Sequence, residues 1–84
     1  MDSKIVKKMN EVIGFIKLVE REVSARASSE DRKKLLLDRK VQLDSKMEEL
    51  DELMATTLSD GATINYHRQI KEEIDKLMDP TRKA

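Results

Sequence analysis

This 84-residue chain is expected to be all-α: an antiparallel helical hairpin with a shorter third helix, a three-helix-bundle arrangement completed by dimerisation. Three observations predict it. Two Gly and one Pro punctuate a chain otherwise dense in Leu, Lys, Glu, Asp and Arg, the composition of long helices. Apolar residues recur at spacings of three and four, the period of one helix face. Two short polar stretches break that recurrence with cap and turn residues. The chain then reads as one helical domain spanning 1–84, with helices at about 4–26, 30–58 and 63–78 and a frayed tail at 79–84.

The first helix opens near Ser3, a plausible N-cap. Ile5, Met9, Val12, Ile16, Val19 and Val23 follow in alternating steps of four and three, a heptad-like seam. Val6 and Ile13 widen it on one flank. Phe15 stands about 100° from the seam on the other flank, and Leu18 is nearly opposite it. Gly14 costs a helix interior about 1 kcal/mol relative to Ala. The pattern fades in "SARASSED".

Ser28 or Ser29 caps the second helix, and capping alone explains both serines. Glu30 and Asp31 fall in its first turn, where the helix dipole favours anions. The connection is short, so the first two helices are antiparallel neighbours. The second seam is Leu36, Leu43, Met47, Leu50, Met54 and Leu58. Lys40 interrupts it with a charge that a flexible stem carries to solvent. The stretch "KKLLLDRKVQL" (33–43) fits no one-sided helix, because neighbours on a helix stand about 100° apart. At least one of Leu35, Leu36 and Leu37 must look away from the core, and Val41 lies one turn on from Leu37.

"LSDGAT" ends the second helix, with Gly61 suited to a left-handed C-cap. The alternative is one long helix running through Gly61. Thr63 or Asn65 caps the third helix, whose apolar face is Tyr66, Ile70, Ile74, Leu77 and Met78, with His67 beside it. Asp79-Pro80 ends it.

Lengths decide where a partner is expected. At about 1.5 Å per residue the third helix is roughly 24 Å long, against roughly 33 and 43 Å for the first two. It folds back along the second helix only to about Met47 or Leu43, and leaves the first hairpin bend uncovered. Phe15, Leu18, Leu35, Leu37 and Val41 cluster towards that end, with Lys33, Lys34 and Arg39 as a charged rim. An apolar centre ringed by charge is the usual layout of a protein interface.

Charge patterning agrees with antiparallel packing or association. Net charge is zero, but residues 1–42 carry eleven Lys/Arg against seven Asp/Glu, and residues 43–84 carry six against ten. A nucleic-acid-binding domain would show a clear basic excess, and no aromatics interleave the lysines to stack on bases, so nucleic acid is not the expected partner.

Chemistry is sparse. Without cysteine there is no disulfide, thiolate metal site or thiol nucleophile. His67 is the lone histidine, so no metal or other cofactor is expected. No glycine-rich phosphate loop or nucleophile elbow occurs. The carboxylates Glu48, Glu49, Asp51 and Glu52 read as a solvated helix face, since catalytic carboxylates need a pocket that shifts their pKa. Met9, Met47, Met54 and Met78 read as core filler. The longest apolar run, Val12 to Ile16, is broken by Gly14 and is too short for a membrane span or a signal peptide. The expectation is therefore a soluble cytoplasmic, non-enzymatic protein-interaction module with no small-molecule substrate. It would be an adaptor, an assembly subunit or a regulatory inhibitor, binding a protein partner or itself as a homodimer through helix-to-helix packing. The alternatives are a small export or assembly chaperone shielding an amphipathic client segment, and a nucleic-acid-associated regulator.

Overall fold

A computed structural model describes residues 3–57 and 60–82. Three helices follow in order: α1 (Ser3–Ser24), α2 (Ser29–Thr56) and α3 (Gly61–Arg82). The described residues contain no strand. No helix among them is long and apolar enough to cross a membrane. The molecule measures 43 × 22 × 18 Å, and its long dimension is the length of α2, about 42 Å at 1.5 Å per residue.

The first seam buries as its spacing dictates. Ile5, Met9, Val12, Ile16 and Val19 are all in the core. On α2 the core positions Leu36, Leu43 and Leu50 are fully sealed and stand seven residues apart, the heptad step that keeps one stripe facing a neighbouring helix. Met47 and Met54 are only partly buried, because the α3 side of that stripe is less tightly closed. From α3, Ile70 and Met78 complete the core.

The α1–α2 hairpin turns at Ser28, an extended residue whose hydroxyl accepts from the Asp31 backbone N–H at 3.4 Å. Arg32 Nε donates to the Arg26 carbonyl across the turn at 2.8 Å. Ion pairs then clasp the antiparallel helices: Lys8 with Glu49, Lys46 with Glu11 at 3.2 Å, and Arg39 with Glu22 at 3.0 Å.

α2 stops at Thr56, and Thr57 is extended, so α2 and α3 are separate helices. Leu58, expected on the α2 seam, lies outside the described residues. Gly61 is not a left-handed cap, since no described glycine has positive φ. It opens α3 instead. The cap is Asp60, not Thr63 or Asn65: Asp60 Oδ1 accepts from the Thr63 N–H at 2.8 Å and from the Thr63 hydroxyl at 2.7 Å. That leaves Thr63 buried and satisfied, and an N-cap carboxylate takes a donor that the helix cannot use.

The third helix is not shorter than the first. Each has 22 residues, so α3 is about 33 Å long. It continues through Pro80 to Arg82, so 79–82 is not a frayed tail; residues 83–84 lie outside the described residues. Proline costs a helix interior its i−4 bond and a steric clash. At Pro80 only the last turn is affected, and the Thr81 hydroxyl donates to the Met78 carbonyl there at 2.6 Å. Burial of Met78 holds that turn against the hairpin. α3 runs parallel to α1, with Tyr66 beside Val6 and Met9 at one end and Leu77 beside Val23 at the other. The hairpin bend is therefore better covered than the expected lengths allowed.

Candidate functional site

The three consecutive leucines look in three directions. Leu36 is fully buried, and Leu35 and Leu37 stand about 100° to either side of it. Arg39 and Lys46, which pair with α1, share Leu35's side of the helix. Leu35 accordingly packs against the hairpin and is 8% exposed. Asp44 and Asp51 share Leu37's side, and Asp51 meets His67 of α3 at 2.6 Å. Leu37 projects past that flank and is 55% exposed; Val41, one turn on, is 73% exposed.

The expected apolar cluster is thus divided. Phe15 is half-buried against the core, with the Lys46 ammonium 5.4 Å from its ring centroid, a cation–π placement. Leu18 is exposed, but it lies one turn from Glu22, on the α1 edge that pairs with Arg39. It is on the opposite side of α2 from Leu37. The pair that remains together on one open face is Leu37 and Val41.

The charged residues also separate. Arg39 belongs to the α1–α2 clasp: Nε and Nη2 both donate to the Glu22 carboxylate, and Nη1 donates to Asp38. This bidentate geometry raises the Arg39 pKa and lowers that of Glu22. Lys33 and Lys34 have no ion pair among the described residues, and Lys34 is exposed.

A groove missing from the sequence expectation runs between α2 and α3. It is about 340 Å³, floored by Leu43, Met47, Ile74 and Met78, with Lys40 and Asp44 on its α2 rim. Those two rim residues pair at 2.7 Å and stand between the groove and the Leu37–Val41 face. The groove exists because α3 meets α2 less closely than α1 does, a tertiary outcome that no spacing along one helix encodes. Met47, which lines it, is one of two incompletely buried methionines on that seam.

Lys8, Glu11 and Asp60 also have structural partners. Hydrogen bonds from Lys8 and Lys46 lower the Glu11 pKa, and bonds to Glu49 and Glu11 raise that of Lys8. The Thr63 hydroxyl and N–H lower the Asp60 pKa. Among the described residues no group of three or more His, Asp or Glu is placed to hold a metal ion.

No protein-family model matches the chain, no curated protein matches its sequence, and no solved structure matches its fold.

Proposed function

We propose that this chain is a small non-enzymatic protein-interaction module, acting as an adaptor, assembly subunit or regulatory inhibitor, whose binding face is the outer side of α2 centred on Leu37 and Val41. One observation carries the proposal. Three leucines of α2 are fully sealed, while two large aliphatic side chains one turn apart stand 55% and 73% in water. Removing apolar surface from water is favourable by about 25 cal/mol per Å², and exposed apolar pairs ringed by charge mark docking faces more often than isolated exposed residues do.

The α2–α3 groove favours a second role, that of a small chaperone receiving an amphipathic client segment along Met47 and Ile74. The two roles differ in which side chains are covered. A benzophenone photo-crosslinking residue replacing Val41, irradiated in an extract of the source cells, should form a protein adduct. A crosslinker replacing Lys71, on the groove, should form none. Adducts only from position 71 support the groove instead, and no adduct at 41 with any protein, this chain included, overturns the proposal.

A further inference from the structure

We infer that the occupant of the Leu37–Val41 face is a second copy of this chain, packed antiparallel so that two α2 helices meet across a two-fold axis near the level of Arg39. The inference rests on the proposed interaction role of that face and adds the identity and direction of the partner.

The face is polarised along its length. On the N-terminal side of Leu37 stand Lys33 and Lys34, neither in an ion pair among the described residues. On the C-terminal side of Val41 stand Asp44 and Glu48. Asp44 spends one oxygen on Lys40 and has a second to offer, and Glu48 is exposed and has no ion-pair partner among the described residues. A partner helix that satisfied this face would be apolar in the middle, acidic opposite Lys34 and basic opposite Asp44. The same stretch of α2, reversed, has that pattern.

The register follows from the positions. Leu37 and Val41 share a midpoint with Lys34 and Asp44. Reversing the helix about that midpoint places Leu37 against Val41 of the second copy and Lys34 against Asp44 of the second copy, and the two-fold repeats both pairings. A parallel, in-register copy would set Lys34 against Lys34 and Glu48 against Glu48, which like-charge repulsion disfavours. A like-charged approach in the antiparallel register, Glu30 near Glu48 of the second copy, sits at the rim, where salt screens it. Self-complementary two-fold pairing is also the commonest form of protein self-association.

A chain without cysteine permits a direct test. Lys34→Cys and Asp44→Cys are made as separate full-length chains, mixed in equal amounts and oxidised in a glutathione buffer. A disulfide needs its Cα atoms within about 7 Å, whereas positions 34 and 44 lie about 15 Å apart along α2. The antiparallel register therefore predicts that the mixed 34–44 disulfide exceeds the statistical half of all linked chains by a wide margin. In parallel, light scattering on the wild type should approach twice 9.7 kDa as concentration rises, and stay at 9.7 kDa for Leu37→Lys/Val41→Lys, which sets like charges against each other across the two-fold, with its helicity retained. Symmetric 34–34 and 44–44 disulfides in excess overturn the antiparallel register. A wild type of 9.7 kDa throughout, with only statistical linkage, overturns self-association. In that case a crosslink from position 41 to a different protein would leave the proposed interaction role standing, and the absence of any crosslink would remove both.

Discussion

Truncating the three adjacent leucines of α2 one at a time should produce three different costs, and the differences follow from where each side chain points. Leu36 is fully buried in the core shared by the three helices. Leu→Ala at a sealed site removes the transfer free energy of the side chain and leaves a cavity, about 2.7–5 kcal/mol in all. Leu35, 8% exposed at the edge of the core, can lose part of that cavity to water, so about 2–3 kcal/mol is expected. Leu37, 55% exposed, has less than half of its surface to lose, and Ala is a slightly better helix former, so about 0.5–1 kcal/mol is expected in the dilute chain. Urea unfolding followed by circular dichroism reads these values directly. With a slope of about 1 kcal/mol/M for a small chain, Leu36→Ala lowers the midpoint by about 3–5 M or prevents folding, and Leu37→Ala lowers it by at most about 1 M. The Leu37 cost should then grow with protein concentration, because association is linked to folding, while the added cost at Leu36 stays constant. If Leu37→Ala at low micromolar concentration costs as much as Leu36→Ala, Leu37 is internal and the open-face geometry is wrong.

Further outcomes concern the frame that holds α2 in place. Gly14 and Gly61 are helical with nothing within 4 Å of an added Cβ, so Gly14→Ala and Gly61→Ala should each stabilise, by about 0.4–1 kcal/mol in urea midpoints; a destabilisation at 61 would restore a left-handed glycine there. Asp60→Ala should lower the midpoint and leave Thr63 short of an acceptor, whereas Asp60→Asn, which keeps a capping oxygen, should recover most of the loss. The carboxyl pKa values of Glu11, Glu22 and Asp60 are depressed in the folded chain. Their contribution is therefore present above the ordinary carboxylate range, about 4 to 4.5, and is lost as pH falls through the lower folded values. Unfolding midpoints at stepped pH should fall on that acid side, and Glu22→Gln should flatten the fall; a profile unchanged by Glu22→Gln would dismiss the Arg39 clasp as a contributor.

Much of the frame is written in local pattern. The alternating steps from Ile5 to Val19 place every one of those residues in the core, and the seven-residue steps from Leu36 to Leu50 do the same for α2. Ser28 caps because an extended serine before two acids is what a helix start requires. The ends of α3 were less legible, for two reasons. Gly61 has the composition of a helix stop, but Asp60 beside it is the better N-cap, and the cap determines where the glycine falls. Pro80 has the composition of a stop too, yet its cost is confined to the final turn, where Met78 is already anchored. Both effects lengthened α3, and the one at Pro80 carried its C-terminal end along the hairpin towards the bend.

The candidate site was legible in part. Adjacent leucines on a helix cannot share a stripe, so an outward-looking residue in "LLL" was a geometric necessity. Which leucine looks out depends on where α3 lies, and that is set by packing between helices distant in sequence. Hence Leu35 joins the core, Phe15 shelters beneath Lys46, Leu18 falls on a separate edge, and Arg39 closes the hairpin instead of rimming a surface. The α2–α3 groove had no local signal, since Met47 reads from the sequence as ordinary core filler.

The most direct measurement is solvent paramagnetic relaxation at the Leu36, Leu37 and Val41 methyl groups of the full chain, followed by NMR from dilute to concentrated solution. Leu37 and Val41 should relax strongly when dilute and lose that relaxation as chains associate, with Leu36 shielded throughout. Methyls of Leu37 and Val41 as protected as Leu36 in the most dilute sample would mean the face is already closed, and would contradict an open docking surface on α2.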